Sequence, residues 1–145
     1  MRMTRTKVAA AAAGLALLTA GCGNAGSDES ETRDVEAVED AQCEEGTRMA
    51  ELNEAGEITI GVKYDQPGIG FQGAGDDTPV GFDPEIGKII AANLGIDPEN
   101  INWTETISDN REPFLQEGEV DLVIASYSIT DERREVVGQA GPYYV

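Results

Sequence analysis

The chain has 145 residues, with 28 Asp and Glu against 10 Lys and Arg and 0 His, for a formal charge of −18 at pH 7. Its length allows one ordinary domain with a real core. The acidity argues against a nucleic-acid partner, whose phosphates require a basic footprint, and against attachment to anionic lipid by charge.

The N-terminus carries Arg2, Arg5 and Lys7, followed by the uncharged apolar run Val8–Ala20. That run is too short to span a bilayer, which takes about 17–25 apolar residues, and its basic start and small-residue end read as a secretory signal over residues 1–21. The sequence LTAGC, Leu18 to Cys22, resembles a lipobox, with Thr19 where leucine is usual. The resemblance implies cleavage before Cys22 and lipid modification of that residue, which would tether the exported protein to the outer face of the membrane. Seven basic residues would then face 28 acidic ones, a balance of −21. Residues 22–42, rich in Glu, Asp and Ser and without an aromatic residue, cannot bury enough surface to offset their ordering entropy and read as a flexible acidic linker. Cys43 is left without a partner once Cys22 is lipidated.

Regular structure is expected from there, over residues 43–145. Thr47 as a cap, Glu51 in the early turns and Gly56 at the end frame a short helix. Glu57–Tyr64 alternates and is β-branched, a strand, and the Gly- and Pro-rich residues 65–79 read as a loop. A second helix is framed by Asp83 as N-cap, Pro84 at the first helical position and Gly95 past the end, with Ile86, Ile89, Ile90 and Leu94 at helical spacing. Residues 101–106 form a second strand. A short helix follows, capped by Asn110 and stopped by Gly118. Residues 120–126 form a third strand, apolar enough to be buried on both faces.

Strands alternating with helices in this way are the grammar of an α/β fold, a parallel-type sheet with flanking helices in three layers. Ligands of such open sheets bind beyond the carboxyl ends of the strands. Three of the seven basic residues after residue 21, Lys63, Arg111 and Arg133, fall there, accompanied by Ser108, Ser126 and Ser128. Each cation alone is explained as well by a neighbouring carboxylate. Their coincidence at three strand ends favours a site for a small anion, since guanidinium groups grip carboxylates through two parallel hydrogen bonds.

The segments ITIGVKYDQPGIG, GFDPEIGKIIAANLG and VDLVIASYSITDERREVVGQAGPYY resemble the family 3 extracellular solute-binding proteins, the polar amino-acid receptors of ABC importers, from about Thr47 to Val145. SDNREPFLQEGEVD is similar to the glutamate-binding lipoproteins within that family. The resemblance implies the first lobe of a two-lobed periplasmic-binding-protein type II fold. It implies that Arg133, helped by the amide of Thr130, holds the ligand's α-carboxylate and that the Ser126 and Ser128 region meets the ammonium group. Arg111 and Ser108 would contact a side-chain carboxylate, with Lys63 adding a second positive contact. Phe82 and Tyr127 are open between a site role and packing.

On this reading the protein is a lipid-anchored receptor, a monomer and not an enzyme, that binds glutamate or aspartate and delivers it to an ABC importer permease, with no metal or cofactor. Members of the family carry a second lobe of comparable size, so a chain that stops at Val145 is expected to be incomplete, truncated near the hinge, and to fold poorly and bind weakly by itself. Two other classes share the fold: dehydratase-like enzymes, distinguished by turnover, and sensor lipoproteins, distinguished by the absence of a neighbouring permease and ATPase.

Overall fold

The computed structural model describes residues 34–145. The expected secretory signal, Cys22 and the first part of the expected acidic linker lie outside the described residues. The helix α1 (Arg48–Ala55) forms as its caps dictate: Thr47 Oγ1 accepts from the amide of Ala50, and Gly56, at φ 70°, donates its N–H to Asn53 O and Leu52 O.

Three parallel strands follow in chain order, β1 (Ile58–Val62), β4 (Ile101–Glu105) and β5 (Leu122–Val123), arranged in space as β4-β1-β5. Ile58 stands opposite Ile101 and Val62 opposite Glu105, while Ile60 and Gly61 stand opposite Leu122 and Val123. Between β1 and β4 run the short antiparallel pair β2 (Asp65–Gln66) and β3 (Gly70–Phe71) and the helix α2 (Phe82–Asn93), and α3 (Arg111–Glu117) connects β4 to β5. The expected three-strand, parallel, helix-flanked arrangement is present.

Burial differs from the expectation in one place. The strand covered on both sides is β1, where Ile58, Ile60, Gly61 and Val62 are all buried, because it pairs with β4 on one side and β5 on the other. The third strand is shorter than expected and half-buried at Leu122 and Val123, because among the described residues it pairs only with β1. Its apolar neighbours Val120, Ile124 and Ala125 are buried. The core joins β1 to Leu52, Ala91, Ile96, Ile101 and Ile124, and burial of such side chains at about 1.5–3 kcal/mol each is the main force holding the sheet to its helices.

Two sequence expectations are corrected at the starts of helices. Gly81, not Asp83, is the N-cap of α2. Gly81 lies at φ 123° and a Cβ there would come within 2.7 Å of Ile69 O, so the backbone can approach β3 only without a side chain. Asp83 is inside the first turn and its carboxylate is engaged elsewhere in the fold. Asn110 occupies the N-cap position of α3 but its side chain makes no capping bond. The segment read as a loop contains the β2–β3 hairpin, closed by Ile69 N–H to Gln66 O at 3.0 Å. Within the acidic segment before Cys43, Val38 N–H donates to Ala92 O at 2.9 Å, so this part is docked on the end of α2. Cys43 is half-buried and free.

Candidate functional site at the carboxyl ends of the strands

Lys63 directly follows β1, Thr106 follows β4 and Ser126 lies three residues past β5. Parallel pairing therefore delivers three loops to one edge of the sheet. Thr106 is fully buried and its hydroxyl donates to Val62 O, which ties the second loop to the first.

The loops after β4 and β5 meet around Tyr127. The Arg111 guanidinium lies 5.3 Å from the centre of its ring and the Arg133 guanidinium 4.3 Å from it, distances at which the ring's π face attracts a cation. Arg111 Nη2 donates to Ser108 Oγ at 3.4 Å, and Arg133 Nη1 donates to Ser128 O at 2.7 Å. Thr130 caps α4 (Asp131–Arg134), its Oγ1 accepting from the Arg133 amide at 3.3 Å. Ser108, Arg111, Ser128, Thr130 and Arg133 thus form one connected group. Glu112 closes it: its Oε1 accepts from the Tyr127 hydroxyl and stands 3.6 Å from Arg133 Nε.

Lys63 and Ser126 face other partners. Lys63, although buried, pairs its ammonium with Asp65 Oδ1 at 3.1 Å rather than with any described member of the Tyr127 group. Ser126 donates its hydroxyl to Gln66 Oε1 at 2.7 Å, and its amide donates to Asp83 Oδ2 at 3.0 Å. A cavity of about 550 Å³ opens beside residues 126–128, walled also by Ile69, Phe82 and Tyr143, within the roughly 300–1,000 Å³ of small-molecule sites. Tyr127 is a wall residue of this cavity and Arg134 lines it as well, while Arg111 and Arg133 contact the Tyr127 ring and are not themselves among its wall residues. Phe82 packs against Tyr143 and Tyr144 at ring separations of 6.0 and 5.9 Å.

The electrostatics follow from burial and proximity. Burial, followed by the charge of Arg133, lowers the affinity of Arg111 for its proton, and among the described residues its Nε has no hydrogen-bond partner. Burial and the hydrogen bond to Glu112 push the Tyr127 phenol up to about 12, while the same bond is the main reason the Glu112 carboxyl sits below its usual range. Burial raises Asp83, opposed by the hydrogen bonds from Tyr143 and Ser126. Among the described residues no group of three or more His, Cys, Asp or Glu side chains could hold a metal ion, and no helix is long and apolar enough to cross a membrane.

Sequence reasoning missed Asp83, Glu112 and Tyr143 as members of this region, whereas Gln66 lies in the stretch after the first strand, Lys63 to Gln66, where a site was expected. Asp83 sat in view but was explained as a helix cap, and Glu112 carries no signal beyond its place next to Arg111.

The profile of the bacterial extracellular solute-binding proteins, family 3, matches residues 58–145, every strand and loop just described. The chain belongs to that family. Its relatives include the glutamate-binding protein GluB of Corynebacterium efficiens, 38% identical over 69% of this chain and 35% of that protein. The glutamine-binding protein of Geobacillus stearothermophilus is 31% identical over 87% of this chain and 47% of its own length. The chain spans about a third of the length of the GluB proteins it matches. Among solved structures, the solute receptor for L-cysteine of Neisseria gonorrhoeae superposes with a TM-score of 0.61 at 38% identity, covering 66% of this chain and 38% of that one. A single-residue mutant of the arginine-bound form of domain 1 from TmArgBP superposes with a TM-score of 0.58 at 29% identity, over 66% of this chain and 71% of that domain.

Proposed function

We propose that this family 3 chain supplies one ligand-gripping lobe of an exported receptor for an acidic amino acid, glutamate or aspartate, which passes its ligand to an ABC importer permease. The observation that carries the reading is the pair of guanidiniums, Arg111 and Arg133, gathered on one tyrosine ring beside Ser126 and Ser128 in a strongly acidic chain. A monoanionic amino acid presents two carboxylates and one ammonium. Arg133, with the Thr130 amide, takes the α-carboxylate; Arg111 with Ser108 takes the side-chain carboxylate; Ser126 and Ser128 meet the ammonium; Lys63 adds positive potential once it releases Asp65.

Selectivity follows from desolvation. Arg111 is 5% exposed, so a neutral amide opposite it leaves a buried charge without a counter-charge, a cost of several kcal/mol. Glutamate is therefore bound in preference to glutamine. The naming of relatives as glutamate-binding and the family's description as solute-binding support a receptor over an enzyme.

Residues 1–21 act as a secretory signal, Cys22 carries the lipid anchor, residues 22–42 form the tether, held to the lobe where Val38 docks on Ala92, and 43–145 form the binding lobe. A Cys22→Ser variant is expected in the medium rather than in the membrane fraction. The ligand reading is tested by calorimetric titration of the protein from residue 23 onward with glutamate, aspartate and glutamine. Binding of glutamate at least tenfold tighter than glutamine supports it; equal affinities, or turnover of any of the three, overturns it.

A further inference from the structure

We propose that Asp83 is a positioning residue that holds the Ser126–Ser128 turn in its binding shape and couples that turn to the 141–145 segment through Tyr143. Asp83 is 2% exposed and both of its oxygens are committed. Oδ2 accepts from the Ser126 amide and Oδ1 from the Tyr143 hydroxyl, each at 3.0 Å, so one carboxylate joins residues 43 and 60 positions away in the chain. Asp83 does not cap its own helix, which begins at Gly81 without a side-chain cap.

Ser126 is the one non-glycine residue with positive φ among the described residues, at 48°. A serine enters that region at a steric cost, and such residues persist only where the surroundings over-determine them. The over-determination is visible here. The Ser126 amide is fixed by a hydrogen bond to an ionisable carboxylate, stronger than a neutral one, and its hydroxyl is fixed by Gln66. Tyr143 is held in turn by its ring against Phe82, which aims the hydroxyl at Asp83. Asp83, Ser126 and Tyr143 all wall the cavity beside the turn, so these bonds set the shape of the space a ligand enters. Displacement of the 141–145 segment withdraws a donor from Asp83 and is transmitted to the Ser126 amide.

The inference rests on the proposed site only in that residues 126–128 contact ligand; the device itself is read without one. Amide hydrogen exchange by NMR of the unmodified chain, Asp83→Ala, Asp83→Asn and Tyr143→Phe is the test, with the Thr106 amide, bonded to Val62 O, as internal control. Asp83→Ala is expected to speed exchange at Ser126 at least tenfold relative to Thr106, and Tyr143→Phe to shift the Ser126 amide resonance. If Asp83→Ala does not fold, Asp83→Asn and Tyr143→Phe carry the same comparison. Exchange that rises equally at Ser126 and Thr106 means Asp83 only supports stability, and a Ser126 resonance indifferent to Tyr143→Phe removes the coupling; either overturns the proposal. Failure of glutamate to bind leaves this exchange pattern in place and counts against the ligand reading alone.

Discussion

Arg111→Met separates what the fold needs from what binding needs. In the structure this guanidinium is buried, makes one long hydrogen bond of 3.4 Å to Ser108, and has no described partner for Nε. Removing a buried unpartnered polar group returns about 1–3 kcal/mol. Against this stand the weak Ser108 bond, about 0.5–1.5 kcal/mol, and the contact with Tyr127, about 0.5–1 kcal/mol. Methionine keeps most of the volume and avoids a cavity. The net change in unfolding free energy should therefore lie between about −1.5 and about +2 kcal/mol, no more than about 10 °C in melting temperature for a fold of this size. Affinity for glutamate should fall by about 100-fold or more, as expected on truncating one partner of a buried charge pair. The assays are a thermal melt and a calorimetric titration on the same preparation. Destabilisation by more than about 2 kcal/mol would show that Arg111 is structural, and an unchanged dissociation constant would remove it from the site.

Other expectations follow from packing and from titration. Gly61→Ala puts a methyl 2.5 Å from Thr106 Cγ2 and 3.2 Å from Val123 Cγ2 in the centre of the sheet; overpacking of this kind costs about 1–3 kcal/mol, so the urea midpoint should drop, and a midpoint equal to that of the unmodified protein would refute the tight β1–Thr106 contact. The Tyr127–Glu112 hydrogen bond should be legible from both ends of the pH scale. Glu112 binds its proton less readily folded than unfolded, so its contribution is present above the unfolded carboxyl pKa and is lost as pH falls through the lower folded value. Tyr127 keeps its proton longer when folded, so stability falls as pH rises from the unfolded phenol value of 10.0 towards about 12. Tyr127→Phe should abolish the alkaline component near 12 in an absorbance titration and weaken the acid dependence; identical curves for the two proteins would refute the assignment.

Local signals sufficed for much of this protein. Thr47 and Gly56 frame α1, Gly118 stops α3 at φ 72°, and the β-branched alternation marks β1, because caps and periodicity act through neighbours a few residues apart. The order of strands and helices also announced a parallel sheet, and with it the edge at which Lys63, Arg111 and Ser126 emerge. Tertiary structure decided how those residues are used. It made β1 central and the third strand an edge, turned Lys63 to Asp65, stacked Arg111 and Arg133 on Tyr127, and took Asp83 away from its helix end to bind Ser126 and Tyr143. Each of these joins atoms brought together by chain folding, and a carboxylate with several donors within its conformational reach takes the buried charged bond, stronger in low dielectric than the solvated local one. The sequence marks Asp83 only as a helix cap, and the packed β5 loop and the 141–145 segment supply the donors that claim it.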